Sequence, residues 1–281
     1  MWSTFKLVSL VVVLGAWSVA AHADAFDVVV PNWCEDTEGS TFMASPFHLQ
    51  PFGGSNSMRY QQIQAADQFS IGTYPEHISG VSFRIDRDKS GYDPTTYQDV
   101  EVRLSTTSIA PEDISAVFAD NTGPDETVVF AGELTLSSDA VPGEMHEFDV
   151  TIDFTTPFLY DPGQGHLLVD IINPHNTSES YWDFEYPAPG ALACVYGDYD
   201  ALEGDHSYQA GYVIQVHFVP ACSGDIDGDG DTDHSDLGAL LAAWCTHEGD
   251  PHWNADADLD GDGHVGHGDL GILLADWGCG T

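Results

Sequence analysis

Phe148-Asp-Val-Thr-Ile-Asp-Phe154 alternates apolar and polar residues without a break, and that period of two decides the main fold. In an extended strand successive side chains point to opposite faces, so such a run buries one face and wets the other. The pattern recurs outward in both directions. Val81, Phe83 and Ile85 alternate with Ser82, Arg84 and Asp86, and Val100, Val102 and Leu104 alternate with Glu101 and Arg103. Further strands are expected over 128–136, 166–172, 191–196 and 212–218. Turn-forming clusters such as Asn121-Thr-Gly-Pro-Asp125 and Asp161-Pro-Gly-Gln-Gly165 separate them. No long amphipathic helix is evident, only a turn or two over 112–119. Many short strands with turns between them predict a mainly β domain over 24–220, a jelly-roll-like β-sandwich of two sheets.

After residue 220 the pattern changes. Asp225-Ile-Asp-Gly-Asp-Gly-Asp-Thr-Asp-His-Ser-Asp236 precedes Leu237, Leu240, Leu241 and Trp244. Thirty-three residues later Asp258-Leu-Asp-Gly-Asp-Gly-His-Val-Gly-His-Gly-Asp269 precedes Leu270, Leu273, Leu274 and Trp277. So many carboxylates in a short loop repel one another unless a hard cation sits among them. Calcium takes about six to eight oxygen ligands, and a twelve-residue loop supplies them from positions 1, 3, 5, 7, 9 and 12. In the first copy those positions are Asp225, Asp227, Asp229, Asp231, Asp233 and Asp236. In the second they are Asp258, Asp260, Asp262, His264, Gly266 and Asp269. Position 7 gives only its backbone carbonyl, so His264 is no sign of a transition metal. The apolar residues after each loop fall at i, i+3, i+4 and i+7, which predicts two short helices whose stripes pack on each other. The core they enclose is too small to fold unaided, so two calcium ions are expected to supply much of its folding free energy.

An ordinary EF-hand has a helix before its loop. Here a strand-like run, Tyr212-Val-Ile-Gln-Val-His-Phe218, leads into the first loop, and Gly249-Asp-Pro-His-Trp-Asn254 leads into the second. A loop-then-helix repeat with Asp at position 12 and Leu directly after it resembles a type I dockerin, over about 223–278. The resemblance implies a small α-helical module at 221–281 that binds a cohesin-type or cell-surface protein and docks the attached domain. It places partner recognition on loop positions 10 and 11, which are His234, Ser235, His267 and Gly268. Because the termini of such modules lie close together, it also suggests a Cys222–Cys279 clasp; Cys245–Cys279 stays open as the alternative.

Residues 1–23 read as a secretory signal. Lys6 is followed by the apolar stretch 7–17, and Ala21-His22-Ala23 is a cleavage site. The expected location is therefore secreted, extracellular or cell-surface associated, with no membrane span once the signal is removed. That oxidising compartment favours reading Cys34 and Cys194 as a disulfide. A net charge of −40, from 46 acids against 6 bases, repels nucleic acid and anionic lipid, which excludes both as partners.

Catalytic signatures are lacking. There is no G-x-S-x-G elbow, and the spacing of His247 and His252 fails the zincin pattern. With 46 acids, no pair of glycosidase carboxylates can be singled out. The aromatic run Tyr181, Trp182, Phe184 and Tyr186 suggests two things: a strand with rings turned into the core, or a glycan contact through Tyr181, Trp182 and Tyr186. Three readings follow. The first is a non-catalytic sandwich docked by its calcium module, in a polysaccharide-associated assembly. The second is a glycoside hydrolase or glycan-binding module tethered the same way. In the third, the module binds calcium and no partner.

Overall fold

A computed structural model describes residues 25–44, 46–48, 57–70, 75–175, 180–219 and 222–279. The export segment expected over 1–23 lies outside them. Thirteen strands are described: β1 Phe26–Val30, β2 Thr41–Ala44, β3 Met58–Gln64, β4 Glu76–Phe83, β5 Tyr92–Thr107, β6 Thr127–Ser138, β7 Val150–Tyr160, β8 His166–Asn173, β9 Tyr181–Glu185, β10 Leu192–Gly197, β11 His206–Tyr208, β12 Gly211–Tyr212 and β13 Ile214–Val219. The helices are α1 Phe118–Asn121, α2 His234–Ala242 and α3 His267–Ala275. The chain is mainly β, with every described strand before residue 220.

The strands form three sheets. One has the order β1-β13-β4-β7, a second β11-β10-β3-β8-β5-β6, and a third, smaller one β12-β9-β2. All their pairings are antiparallel. The chain crosses directly between the two larger sheets from β3 to β4, β4 to β5, β6 to β7, and β7 to β8. The two larger sheets share one apolar core, as in a β-sandwich. Val81 and Phe83 of β4, Val150 and Ile152 of β7 and Val216 of β13 meet Val102 and Leu104 of β5, Val169 and Ile171 of β8 and Leu192 of β10. Val81, Phe83, Ile85, Val100, Val102, Leu104, Val150 and Ile152 are buried as their alternation predicts. Phe148 and Phe154 are only partly so, and Ser82, Arg84 and Asp86, expected on the wet face, are buried too.

Strand β3 escaped the sequence reading because three of its six buried positions are glutamines, which break the apolar alternation. Gln61 donates to Asp170 Oδ2 at 2.9 Å and accepts from Asn121 Nδ2 at 3.0 Å. Gln62 donates to the Tyr212 carbonyl at 3.0 Å and accepts from the Tyr212 N–H at 2.8 Å. The amides of Gln61 and Gln62 are thereby satisfied, the usual condition for tolerating them inside, whereas the buried Gln64 amide has no hydrogen-bond partner. The helix expected over 112–119 is instead a 3-10 turn at Pro111–Asp113 and the four-residue α1. Pro111 opens the turn, and Ile114 leaves it in an extended conformation (ψ 126°), which stops a helix there.

The expected Cys34–Cys194 bridge is absent: both are free, buried thiols. Cys34 packs with Val29 and Val213, whereas Cys194 lies on β10 within the main core. Burial pushes both thiols up to about 12, so neither ionises at neutral pH. Among the described residues no helix is long and apolar enough to cross a membrane.

Candidate metal centre

Each acidic loop is organised by its own first and last carboxylates. Asp225 accepts backbone N–H bonds from Gly228, Asp229 and Gly230 at 2.7, 3.2 and 2.9 Å. Asp236 accepts from Ile226, Asp227 and Asp233 at 2.7, 3.2 and 2.7 Å. The second copy repeats this with Asp258, which accepts from Asp262 and Gly263, and Asp269, which accepts from Asp260 and Gly266. Gly230 and Gly263, at loop position 6, have φ values of 96° and 80°, in the left-handed region where a Cβ is disfavoured.

This winding turns the remaining carboxylates inward. Ligand oxygens of Asp225, Asp227 and Asp229 all lie within 4.8 Å of one another, as do those of Asp258, Asp260 and Asp262. Asp231, Asp233 and Asp236 form a further such group in the first loop. Asp233 also caps α2, accepting from the Ser235 N–H at 2.6 Å. Gly266 stands at the equivalent place before α3 and has no side chain to do so. The His264 ring lies against His247, with centroids 4.4 Å apart, and over Gly266 of its own loop.

The electrostatics favour a cation. Lost hydration and then the charges of Asp229, Asp236 and Asp225 push the Asp227 carboxyl above the usual carboxylate range. Lost hydration followed by Asp229, Asp233 and Asp236 does the same to Asp231. Asp231 Oδ1 is a buried oxygen with no hydrogen-bond donor. Burial acts to raise Asp269, but backbone N–H donors led by Gly266 outweigh it and hold that carboxyl low. An all-oxygen, carboxylate-rich set fits a hard divalent cation.

The two copies interlock around a shared two-fold. Thr232 at loop position 8 bonds Cys279 and Gly278, through Thr232 N–H to the Cys279 carbonyl at 3.0 Å and Gly278 N–H to the Thr232 carbonyl at 2.9 Å. Thirty-three residues on, Val265 makes the same pair of bonds with Cys245 and Thr246 at 2.9 and 3.0 Å. Cys245 therefore occupies the place of Gly278, and both have positive φ, 63° and 83°. His234 stands edge-on to Trp277 at 5.0 Å, and His267 meets Trp244 reciprocally at 5.2 Å. Cys222 is bonded to Cys279, which closes the unit, and Cys245 is free. Asp276 ties the ends further, accepting from Gly224 N–H at 2.7 Å and Thr232 Oγ1 at 2.9 Å.

Ile226, Leu240, Ala243, Ala257, Val265 and Leu273 form the buried core of this unit. Leu241 and Leu274 do not join it. Each is 55% exposed, because a helix of nine residues packing on one neighbour of the same length has room inward for only part of the stripe. The residues assigned to partner binding, His234, Ser235, His267 and Gly268, are all exposed. Gly268 has a second, steric role, since a Cβ there would stand 2.0 Å from Asp260 Oδ2.

The aromatic run divides. Trp182 is fully buried, stacked on Phe83 at 4.2 Å, so its ring is not available to a sugar. Tyr181 is half-buried between Phe42 and His48, and Tyr186 is 56% exposed. Tyr186 joins Phe42, Phe184, Tyr196 and Tyr208 around a shallow concavity of about 220 Å³. A fourth carboxylate group, Glu38, Asp86 and Asp183, is assembled from three distant parts of the chain and left no spacing signal in the sequence. No protein-family model, no curated protein and no solved structure matches this chain.

Proposed function

We propose that this chain is a secreted, non-catalytic β-sandwich protein docked by a dockerin-like module through two bound calcium ions. The observation that carries the reading is the pair of loops, each with three carboxylates within 4.8 Å and each running into a helix whose first two residues are exposed. Asp225, Asp227, Asp229, Asp231, Asp233 and Asp236 would hold one ion, the last two through water or a second oxygen. Asp258, Asp260, Asp262, the His264 carbonyl and Asp269 would hold the other. Each helix then offers an outward stripe with residues seven apart on one face, His234 with Leu241 and His267 with Leu274. A cohesin-type or cell-surface protein is the partner such a stripe suits: apolar in part, and dependent on the ions that fix the helices. The strand orders β1-β13-β4-β7 and β3-β8-β5-β6 support a jelly-roll reading of the sandwich.

Capture of partners from extracellular extract, in calcium and in chelator, tests docking. A partner held only in calcium is expected, and lost when Leu241→Asp and Leu274→Asp are combined. Capture of no partner that depends on calcium favours a module that stabilises the chain and binds nothing but calcium.

One observation favours a second reading, a glycan-binding sandwich: Phe42, Tyr186 and Tyr208 are each more than a third exposed around one concavity. Stacked sugar rings are bound through such faces. Affinity electrophoresis in neutral polysaccharide should then show retardation that Tyr186→Ala removes; migration unchanged by the polysaccharide counts against it.

A further inference from the structure

We propose that Glu38, Asp86 and Asp183 form a third calcium site, in the β-rich part of the chain and independent of the two acidic loops. Glu38 lies in the connection before β2, Asp86 just beyond β4, and Asp183 in the middle of β9. One ligand oxygen from each lies within 4.8 Å of the others. Asp183 is fully buried, Asp86 is 6% exposed, and Glu38 is half-buried.

The charge count leaves room for a divalent ion. Arg84 is the only Lys or Arg side chain that pairs with this group among the described residues, and its Nε and Nη2 both reach Asp183 Oδ2 at 2.7 Å. Its Nη2 also donates to the Cys34 and Thr37 carbonyls, at 3.1 and 2.7 Å. Three carboxylates against one guanidinium leave two negative charges. Backbone N–H groups take up part of the rest: Gly39 donates to Asp183 Oδ2, Arg87 to Glu38 Oε1 and Asp88 to Asp86 Oδ1. Asp183 Oδ1 and Glu38 Oε2 remain buried with no donor at all. A charged oxygen in that state is strongly destabilising unless something fills it.

Space and chemistry both point to a small hard ion. A Cβ on Gly39 would stand 2.6 Å from Asp183 Oδ1, so glycine keeps that side of the carboxylate open. The ligand set is oxygen alone. Cys34 lies close enough to feel these charges, but burial, Glu185 and Asp183 push its thiol up to about 12, so it offers no thiolate to a soft metal. Ligands from a loop, a strand end and a strand interior suit calcium's irregular coordination better than the strict octahedron of magnesium. The bound ion would pin the small third sheet to the end of β4.

The test counts calcium on the full chain by equilibrium dialysis with elemental analysis. Three ions per chain are expected. With both loops disabled by Asp225→Ala and Asp258→Ala, one ion should remain, resist excess magnesium, and raise the melting temperature relative to EDTA. Adding Glu38→Gln, a half-buried and nearly isosteric change, should remove that ion and the calcium-dependent shift. Asp183→Asn should act likewise, and the glutamine variant keeps the test informative where the asparagine variant misfolds. The proposal is overturned by a loop-disabled chain that binds no calcium, by a residual ion indifferent to Glu38→Gln, or by full displacement with magnesium. Failure of the loops alone would leave this site standing.

Discussion

Chelation of calcium is expected to weaken amide protection in α2 and α3, and to abolish it once the Cys222–Cys279 bond is also reduced, while leaving the β-sheets protected. Hydrogen exchange read by mass spectrometry localises the effect to 234–242 and 267–275. The reason is the size of the core. Six buried residues, two of them alanines, cannot offset the ordering of nearly sixty. Each ion adds about 2.7 kcal/mol when calcium is about 100-fold above its dissociation constant, hence roughly 5 kcal/mol for two. The Cys222–Cys279 bond spans 57 residues and constrains the unfolded segment by about 4 kcal/mol in the chain-entropy view. The two supports act together, so the oxidised, chelated chain should lose protection in part and the reduced, chelated chain completely. Asp225→Ala with Asp258→Ala should mimic chelation even in calcium, because each removes a ligand and orphans backbone N–H groups in its loop. Protection of both helices that survives reduction and chelation together would show that the ions do not organise this segment.

What could be read from sequence depended on how far apart the determinants lie. The carboxylates of each acidic loop fall within twelve consecutive residues, so their convergence in space was visible as a spacing. Strands β4 to β8 were visible for the same reason, as alternation is a local property. Glu38, Asp86 and Asp183 come from three separate segments, and only the sheet pairings bring them together. The glutamines of β3 break the apolar alternation, and the partners of Gln61 and Gln62, namely Asp170, Asn121 and Tyr212, lie 60 to 150 residues away. The cysteines misled for another reason. An oxidising compartment permits a bridge, but Cys34 and Cys194 sit in different clusters, and no composition argument carries that geometry. Leu241 and Leu274 satisfied the helical period yet stay outside, since period assigns a face and the neighbour decides how much of it is covered.

Trp182→Ala should destabilise the sandwich by about 3–5 kcal/mol, the range for deleting a large aromatic from a packed core. Alternation in 181–186 allowed the ring to face either inward or toward a ligand, and the structure turns it in. Trp182 stacks on Phe83 at 4.2 Å with planes 25° apart, and meets Phe47 and Tyr212 at 5.6 Å each. Those three rings come from different segments, so no single backbone shift can close the cavity left behind. For a domain near 200 residues the expected fall in melting temperature is roughly 10 °C, at about 2–4 °C per kcal/mol. Tyr186→Ala, four residues on and 56% exposed, should stay within about 0.5 kcal/mol of the parent. Denaturant midpoints of both variants at fixed saturating calcium separate the two environments. Trp182→Phe should fall between them, because it keeps the stacking on Phe83 and gives up only part of the volume. A Trp182→Ala chain as stable as the parent would mean that the ring does not fill the core, and a glycan role for the run 181–186 would have to be reopened with Trp182 at its centre.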